Sequence, residues 1–377
     1  MSERYLHIVS FDVPFPPNYG GVIDVYYKIR ALHKMGIKIY LHIIEYPGRE
    51  QAPALEPMCE RVFYYPRKLG LKSAFCLKPY IVKSRRSEDM INNLLQDNHP
   101  ILFEGLHSCY YIDDQRLKGR KLIYRESNIE HQYYINLFKA ERNPGKKAYF
   151  LVESLKLLFF QKKLKNADLM LVVSEYDTNY LKSKFPHNDV RFLPSFHSNE
   201  ELNIIEGTGD YALYHGNIEV PENEAAAAFL INKVFAQTNH RLIIAGMNPP
   251  KHIVELAAKH RNISVIANPD DEELFSLIRN AQINILVTFQ ATGLKLKLLN
   301  TLYNGRHCLV NLSMLNGTGL NKLCYTAETP AELKKMLDEL SGKPFSKTEA
   351  LARIELLKAN YSNSANAQRL VSAVFGE

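Results

Sequence analysis

The chain has 377 residues, of which 46% are apolar and 23% are charged, and its formal net charge is +7. This length predicts about two domains with ample material for hydrophobic cores. No apolar run reaches the roughly 20 residues of a membrane-spanning helix. The five cysteines are scattered without a CxxC or Cys/His cluster, which excludes the common zinc motifs.

The start of the chain and its cysteine usage point to the cytoplasm. Met1 to Arg4 lead directly into a predicted strand, so we expect no signal peptide. Five cysteines without a pairing pattern suit a reducing compartment. We therefore expect a cytoplasmic protein.

The positive charge is concentrated in the first half of the chain. Residues 1–191 hold 30 Lys and Arg against 21 Asp and Glu, whereas residues 192–377 hold 17 against 19. The stretch from Arg67 to Arg86 has seven basic residues, no acid and interleaved apolar residues. This pattern predicts peripheral contact with an anionic membrane, and a solvated basic face is the alternative. No nucleic-acid-binding motif is present, so we expect no nucleic-acid partner.

The first half of the chain alternates strands and helices. A predicted strand at 5–9 is followed by a Pro-rich loop that ends in Gly20 and Gly21, then by a helix and a second strand. Strand, Gly-bearing turn, helix and strand is the opening of a doubly wound parallel sheet. A later strand is predicted at 101–107, where Glu104, Gly105 and His107 would lie at its carboxyl end. Further strands are predicted at 121–124, 168–173 and 190–193, with a helix at 148–165.

The second half repeats this pattern after a polar, Gly-containing segment at 194–209 that we interpret as a linker. Strands are predicted at 211–214, 241–245 and 263–266. His215 and Gly216 follow the first of these strands, Gly246 follows the second and Asn268 follows the third. Backbone and side chains at such strand ends face the ligand crevice of a doubly wound sheet.

The stretch 285–312 predicts a complete strand–turn–helix–strand unit. Its turn contains Gly293, and the first turn of its helix carries Lys295 and Lys297. A helix N-terminus attracts anions through its free N–H groups and its dipole, so two lysines there predict a phosphate site. The alternative is an ordinary solvated helix face. Asn300 lies one turn further along the helix.

Common catalytic motifs are missing. The sequence has no GxGxxG after the first strand, no GxxxxGK[ST], no GxSxG and no DxD that would hold a metal–diphosphate. A metal or other cofactor is therefore not implied, and a diphosphate would have to be met by lysine, arginine and helix N-termini.

Five motifs occur in the order and spacing of one known family. They are Pro14-Phe-Pro-Pro-Asn-Tyr-Gly20-Gly21, Arg125-Glu-Ser-Asn128-Ile-Glu130-His131, Leu171-Val-Val-Ser174, Tyr214-His215-Gly216-Asn217, and Gly293-Leu-Lys295-Leu-Lys297-Leu-Leu-Asn300. Together they resemble the GT-B glycosyltransferases, in particular the retaining family 4 of bacterial surface-polysaccharide synthesis. The resemblance covers nearly the whole chain.

The resemblance implies an α/β fold of two Rossmann-like lobes that face each other across a cleft. We expect an acceptor lobe at 1–195, a donor lobe at 196–358, and a C-terminal helix at 359–377 that packs back towards the first lobe. The implied activity is sugar transfer from a nucleotide-diphosphate-sugar to a glycan or lipid-linked glycan. The nucleotide sugar is a substrate, and no cofactor is implied.

The resemblance also implies roles for individual residues. His107 and Lys297 would be catalytic, with His107 near the transferred sugar and Lys297 at the leaving diphosphate. The implied donor-binding residues are Gly20, Gly21, His215, Gly216, Gly246, Asn268, Gly293, Lys295 and Asn300. Those that would contact the acceptor or sugar are Arg125, Asn128, Glu130 and His131.

Three positions depart from the family pattern. Asn217, Glu222 and Asn300 stand where relatives carry an arginine, a lysine and a ribose-binding glutamate. These departures leave open a second hypothesis, a catalytically degenerate protein that binds a glycan or a partner enzyme. A GT-B sugar-nucleotide epimerase is a third possibility, but it fits Lys297 and the motif at Asn128 less well.

Overall fold

The computed structural model describes residues 3–70, 76–141, 143–289 and 295–376. The chain divides into two compact units. The first comprises Met1–His197 and Asn363–Glu377, and the second comprises Ser198–Ala291 and Lys295–Ser362. We call them the first and second lobes.

The first lobe is built on a sheet of seven parallel strands in its described residues, in the order β3-β2-β1-β4-β5-β6-β7. The strands are β1 Tyr5–Ser10, β2 Lys38–Glu45, β3 Arg61–Pro66, β4 Ile101–Glu104, β5 Leu122–Arg125, β6 Leu169–Val172 and β7 Asp189–Phe192. The helices are α1 Gly20–Lys34, α2 Tyr80–Lys83, α3 Glu88–Leu94, α4 Glu130–Ala140, α5 Pro144–Gln161 and α6 Glu175–Lys184. Strands β2 and β3 lie on one side of β1, whereas β4 to β7 lie on its other side, so the strand order reverses between β1 and β4. Ligands of such sheets bind outside the strand ends at this reversal point.

The second lobe repeats the same order with six parallel strands among its described residues, β10-β9-β8-β11-β12-β13. The strands are β8 Ala212–Asn217, β9 Leu242–Met247, β10 Ile263–Ala267, β11 Ile283–Leu286, β12 His307–Val310 and β13 Tyr325–Thr326. The helices are α7 Pro221–Phe229, α8 Lys251–Ala257, α9 Asp271–Asn280, α10 Leu296–Asn304, α11 Leu312–Leu315, α12 Pro330–Ser341 and α13 Lys347–Asn360. Its reversal point lies between β8 and β11.

The final helix, α14 Asn363–Phe375, belongs to the first lobe. Its apolar face joins the core formed by α1 and the central strands, with Leu370 and Val374 among the buried residues. The Lys121 ammonium donates hydrogen bonds to the carbonyls of Ala373 (2.9 Å) and Val374 (2.6 Å). A cation at a helix C-terminus satisfies carbonyl groups that have no partner within the helix.

Two sequence predictions differ from the structure. The strand predicted at 101–107 ends at Glu104, because Gly105 turns the chain with φ +67. His107 consequently lies in a short 3₁₀ helix, Leu106–Tyr111, rather than on a strand. Strand β3 at Arg61–Pro66 was not predicted, since its polar and aromatic residues show no clear apolar alternation.

A cluster of four buried charges fixes α1 to the carboxyl ends of β4 and β5. The Lys28 ammonium lies 2.9 Å from the Asp24 carboxylate and 2.6 Å from the Glu104 carboxylate. The Arg125 guanidinium makes two hydrogen bonds to Asp24, at 3.1 and 3.0 Å. Burial alone would raise the pKa of Asp24, but Arg125 and Lys28 hold it well below its usual range.

Asp24→Ala should strongly destabilise the first lobe, because two buried cations would lose their shared carboxylate. We expect a loss of about 3–5 kcal/mol in the free energy of unfolding, measured by urea titration. Asp189→Asn is the matched control, since Asp189 pairs with Arg191 at the surface. The control should cost less than about 1 kcal/mol, and equal losses would contradict the role assigned to the cluster.

Candidate functional site

The first lobe has a pocket of about 580 Å³ at the carboxyl ends of its central strands. Loops after β1, β2, β4 and β5 line it, so it lies at the reversal point of the sheet. Four residues predicted from the sequence are brought together here, namely Gly21, His107, Asn128 and Glu130. The other lining residues are Phe11, Asp12, Tyr19, Tyr46, Arg49, Arg85, Ser127 and Tyr133.

Two glycines shape the wall of this pocket. A Cβ atom on Gly21 would lie 2.6 Å from the Phe11 ring, so the first turn of α1 approaches that ring only because residue 21 has no side chain. A Cβ on Gly105 would lie 3.1 Å from Nδ1 of His107, and the φ of +67 at residue 105 is itself disfavoured for other residues. Gly105 therefore allows the chain after β4 to turn and present His107 to the pocket.

His107 and Glu130 form a close pair of neutral groups. Nδ1 of His107 lies 3.7 Å from the Glu130 carboxyl and has no hydrogen-bond partner among the described residues. Burial, together with Arg85 and Arg67, lowers the pKa of His107 well below its ordinary value. Burial raises the pKa of Glu130 to about 8, although Arg85 opposes the shift. Near pH 7 the imidazole is neutral and Glu130 is mostly protonated, so both can exchange hydrogen bonds with a sugar hydroxyl.

Asp12, Tyr19 and Arg49 also line the pocket. The Asp12 carboxylate accepts hydrogen bonds from the backbone N–H of Val13 (2.7 Å) and the hydroxyl of Tyr19 (2.6 Å). The Arg49 guanidinium lies 3.9 Å from Asp12 and 5.5 Å from the centre of the Tyr19 ring. The negative charge of Asp12 is thus stabilised by these two hydrogen bonds and by the nearby Arg49.

Lys297 is the central polar side chain at the reversal point of the second lobe. It lies in the first turn of α10 and donates a hydrogen bond to Asn223 Oδ1 at 2.8 Å. Its ammonium also lies 5.3 Å from the centre of the Tyr214 ring. Burial and Lys295 lower the pKa of Lys297 to about 8, although Glu222 opposes the shift. A partly desolvated cation at a helix N-terminus is a strong anion site because little water screens it.

Glycines hold the strand ends beside Lys297 close together. A Cβ on Gly246 of β9 would lie 1.7 Å from the carbonyl oxygen of Gly216 on β8, so no other residue fits there. His215 precedes Gly216, and its Nε2 lies 3.2 Å from the Thr301 hydroxyl. Burial and Lys297 lower the pKa of His215 to about 3, so this histidine is neutral.

Asn268 fixes the loop that follows β10. It has a φ of +51, which asparagine tolerates better than most residues. Its backbone N–H donates to the Gly246 carbonyl, and its side-chain oxygen accepts from the backbone N–H of Asn248, both at 2.8 Å. The side chain of Asn268 is exposed. These bonds place it at the carboxyl edge of the sheet, where a nucleotide base was predicted to lie.

Several predicted site residues have local roles in the structure. Arg125 is fully buried, and its guanidinium also donates to the carbonyls of Leu193 and Pro194, so no surface of it is available to a sugar. The predicted contact between Arg125 and the acceptor is corrected on this ground.

His131 bonds Gln161 at 3.0 Å and is not among the pocket-lining residues. The side-chain oxygen of Asn300 accepts from Asn199 at 2.9 Å.

Two more predicted residues lie at helix starts. Gly20 begins α1, and Lys295 is the N-cap residue of α10. Gly293 lies outside the residues that the structure describes. Among the described residues, no group of three or more His, Cys, Asp or Glu side chains is placed to hold a metal ion.

Four pocket residues were not predicted from the sequence, namely Asp12, Tyr19, Arg49 and Arg85. They come from three separate loops, and only the fold brings them together. Arg85 was noticed only as part of the basic stretch. Its position two residues before the N-cap Ser87 of α3 gave no sign that it would be buried.

Replacing Glu130 by glutamine should change how stability depends on pH. The native protein holds a proton on Glu130 up to about pH 8, whereas the unfolded chain releases it near its ordinary pKa of 4.5. Wild type should therefore lose stability relative to Glu130→Gln as the pH rises from about 5 to about 8, by up to about 1.4 kcal/mol per unit. Urea unfolding across this range measures the difference. Glu50→Gln, at an exposed position, should track wild type, and a parallel profile for Glu130→Gln would refute the assignment.

No family model matches the chain. A Klebsiella pneumoniae protein described as "Uncharacterized 44.6 kDa protein in cps region" is 28% identical over 335 residues, which cover 83% of this chain and 84% of that protein.

Two solved structures with similar folds cover nearly the whole chain. An alpha,alpha-trehalose-phosphate synthase (UDP-forming) from Burkholderia xenovorans, in complex with glucose-6-phosphate, has a TM-score of 0.61 at 10% identity, covering 99% of this chain and 100% of that one. Medicago truncatula UGT71G1 complexed with UDP-glucose has a TM-score of 0.55 at 10% identity, covering 99% of both chains. These likenesses confirm the predicted α/β fold with two Rossmann-like lobes of the GT-B type.

Proposed function

We propose that the protein transfers a sugar from a nucleotide-diphosphate-sugar to a saccharide or lipid-linked saccharide. The observation that carries this proposal is Lys297, a partly buried ammonium in the first turn of α10 at the reversal point of the second lobe. Its hydrogen-bond partner is the neutral Asn223 rather than a carboxylate. The site therefore keeps a positive charge where a diphosphate would lie.

Sugar transfer releases a nucleoside diphosphate, whose negative charge grows as the glycosidic bond breaks. Lys297 would stabilise this charge in the transition state, with Lys295 and the start of α10 adding to the positive field. This lysine-based arrangement motivates a metal-independent mechanism. The retaining outcome rests on the resemblance to family 4 alone.

Other residues have proposed roles in donor binding. The base would lie near Gly246 and Asn268, at the strand ends of the second lobe, and Asn300 would be close to the ribose. In the first lobe, His107 would contact the sugar or the reacting hydroxyl, and Asn128 and Glu130 would contact the acceptor. The pocket volume of about 580 Å³ is within the range of small-molecule sites.

The comparisons support this proposal without identifying the substrates. One structural neighbour is named as a UDP-forming synthase, and the other is named as complexed with UDP-glucose. The Klebsiella relative is named for the cps region, which fits a role in surface-polysaccharide synthesis. We propose that role here, at the cytoplasmic face of the cell membrane.

A degenerate, binding-only protein is the second candidate, and two contacts favour it. Glu222 accepts a hydrogen bond from the Thr288 hydroxyl and lies close enough to Lys297 to raise its pKa, so an acid stands where the family 4 pattern has a lysine. Asn300 bonds Asn199, which occupies the oxygen that would face a ribose. This candidate predicts no affinity for nucleotides.

Calorimetric titration with UDP, GDP, ADP, CMP and dTDP separates the two candidates. We expect one diphosphate to bind, and Lys297→Ala to weaken it tenfold or more because the partly desolvated charge is lost. Affinity should fall above about pH 8, where Lys297 loses its proton, and Lys297→Arg should remove this fall. Lys251→Ala, at an exposed lysine of the same lobe, is the control. Absence of binding at millimolar concentration would favour the binding-only candidate.

Helix α5 presents an apolar face to solvent. Leu151, Val152, Leu155, Leu158 and Phe159 are 37 to 65% exposed, and their spacing places them on one side of the helix. Exposed Lys146 and Lys162 lie near its two ends. Its sole acid, Glu153, is buried and accepts a hydrogen bond from the backbone N–H of Tyr80. No described helix is both long and apolar enough to cross a membrane.

We propose that the first lobe contacts an anionic membrane surface through α5 together with the basic stretch Arg67–Arg86. An apolar face bounded by lysines, with its acid turned inward, complements anionic lipid headgroups and the acyl boundary below them. The bond from Tyr80 to Glu153 places α2, within the basic stretch, beside α5. Residues 71–75 of that stretch lie outside the described residues.

Co-sedimentation with vesicles tests this membrane contact. Wild type should bind vesicles that contain phosphatidylglycerol more tightly than pure phosphatidylcholine vesicles. Leu155→Glu and Phe159→Glu should each weaken binding about tenfold or more, because burial of such a side chain is worth roughly 1.5–3 kcal/mol. Leu351→Glu, at an exposed leucine of α13, should have no effect. Salt-insensitive or absent binding, or concentration-dependent self-association through α5 instead, would overturn the proposal.

A further inference from the structure

Arg85 is a buried arginine without a carboxylate partner. Its side chain is 5% exposed. Nε donates to the Phe11 carbonyl at 3.0 Å and Nη1 donates to the Ile81 carbonyl at 2.6 Å. No ion pair joins it to an acid in the described part of the chain. Removing a guanidinium from water without a counter-charge is costly.

Four other arginines are buried among the described residues, and none of them lines the first-lobe pocket. Arg306 donates to the carbonyls of Arg279 and Ala281, and its buried Nε has no hydrogen-bond partner among the residues that the structure describes. Arg125 pairs with Asp24, and Arg120 pairs with Asp97. Arg353 has no acid, but its guanidinium donates to backbone carbonyls and lies 4.5 Å from the centre of the Phe345 ring. Arg85 is distinguished by lining the first-lobe pocket while Nη2 makes no hydrogen bond to the described protein.

Arg85 makes no ion pair with an acid of the pocket among the described residues, although the Asp12 carboxylate is near enough to raise its pKa. Asp12 lies near Arg49 and accepts hydrogen bonds from Val13 and Tyr19. Glu130 is mostly protonated near pH 7, and His107 is neutral. Burial lowers the pKa of Arg85 only to about 10, so it keeps its charge. The positive field of Arg85 reaches both His107 and Glu130, since it lowers the pKa of each.

We propose that Arg85 binds an anionic group, a phosphate or carboxylate, on the acceptor sugar in the first-lobe pocket. The free Nη2 edge offers charge-assisted hydrogen bonds to such an oxyanion. The hydroxyls of the same sugar can reach His107 and Glu130, which line the same pocket. The identification of the bound sugar as an acceptor rests on the proposed transferase function. The anion site itself does not depend on that function.

Binding of the full chain to three related sugars tests this specificity. The probes are glucose, glucose 6-phosphate and glucuronate, titrated calorimetrically, with inorganic phosphate as a fragment. We expect wild type to prefer at least one charged sugar over glucose by tenfold or more. Arg85→Gln should abolish the preference and Arg85→Lys should retain part of it, whereas Arg86→Gln should preserve it because Arg86 pairs with Glu88 at the surface. The two charged sugars distinguish a phosphate from a carboxylate.

A second measurement covers the case in which Arg85→Gln fails to fold. The side-chain ¹⁵N resonance of Arg85 is assigned as the arginine signal that is missing from the spectrum of Arg85→Lys. In wild type, this resonance should shift when inorganic phosphate is added. Equal binding of charged and neutral sugars, a preference that survives Arg85→Gln, or an unmoved resonance would each overturn the inference.

The nucleotide titration separates this inference from the proposed function. Nucleotide binding that depends on Lys297, without any anion preference, would leave the transferase function standing and reject the Arg85 site. An anion preference without nucleotide binding would keep the site and shift the function to glycan binding.

Discussion

The buried charge cluster of Asp24, Lys28, Glu104 and Arg125 is the constraint on which the first lobe depends. Each member satisfies another, and none is tolerated alone because an unpaired charge in the interior has no solvent to stabilise it. Glu104 and Arg125 are the last residues of β4 and β5, and the pocket loops begin immediately after them. The positions of His107 and Glu130 therefore follow from the ion pairs below them.

The two lobes use the same sheet order to build different electrostatic sites. In the first lobe, burial turns Glu130 and His107 into a neutral pair but leaves Arg85 charged. In the second, partial burial of Lys297 lowers its pKa without removing its charge near pH 7. A sugar hydroxyl suits the neutral pair, and a diphosphate suits the lysine, so the proposed division between an acceptor lobe and a donor lobe would have a physical basis in desolvation.

The fold and the position of Lys297 in its helix could be predicted from the sequence better than the residues that line the first-lobe pocket. Strand–helix alternation is local, so it can be read from neighbouring residues, and Lys297 follows from its position in a predicted helix. Arg125 was misassigned because a motif does not reveal whether an arginine faces a cavity or a buried Asp24 that lies 101 residues away. His107 was displaced from its strand by the backbone turn at Gly105. Arg85 and Arg49 lie in separate loops, and these loops come together only because the strand order of the sheet places them side by side.

The return of α14 to the first lobe has a consequence for the order of folding during synthesis. Leu370, Val371 and Val374 belong to the core that α1 and β1 share, and Asn363 bonds the backbone of His197. Domains generally fold as units while the chain emerges from the ribosome, N-terminal first. Here the N-terminal lobe lacks part of its core until the other lobe has been translated. The second lobe can complete its core earlier, and the part of α1 that α14 covers stays without its partner until translation is nearly finished.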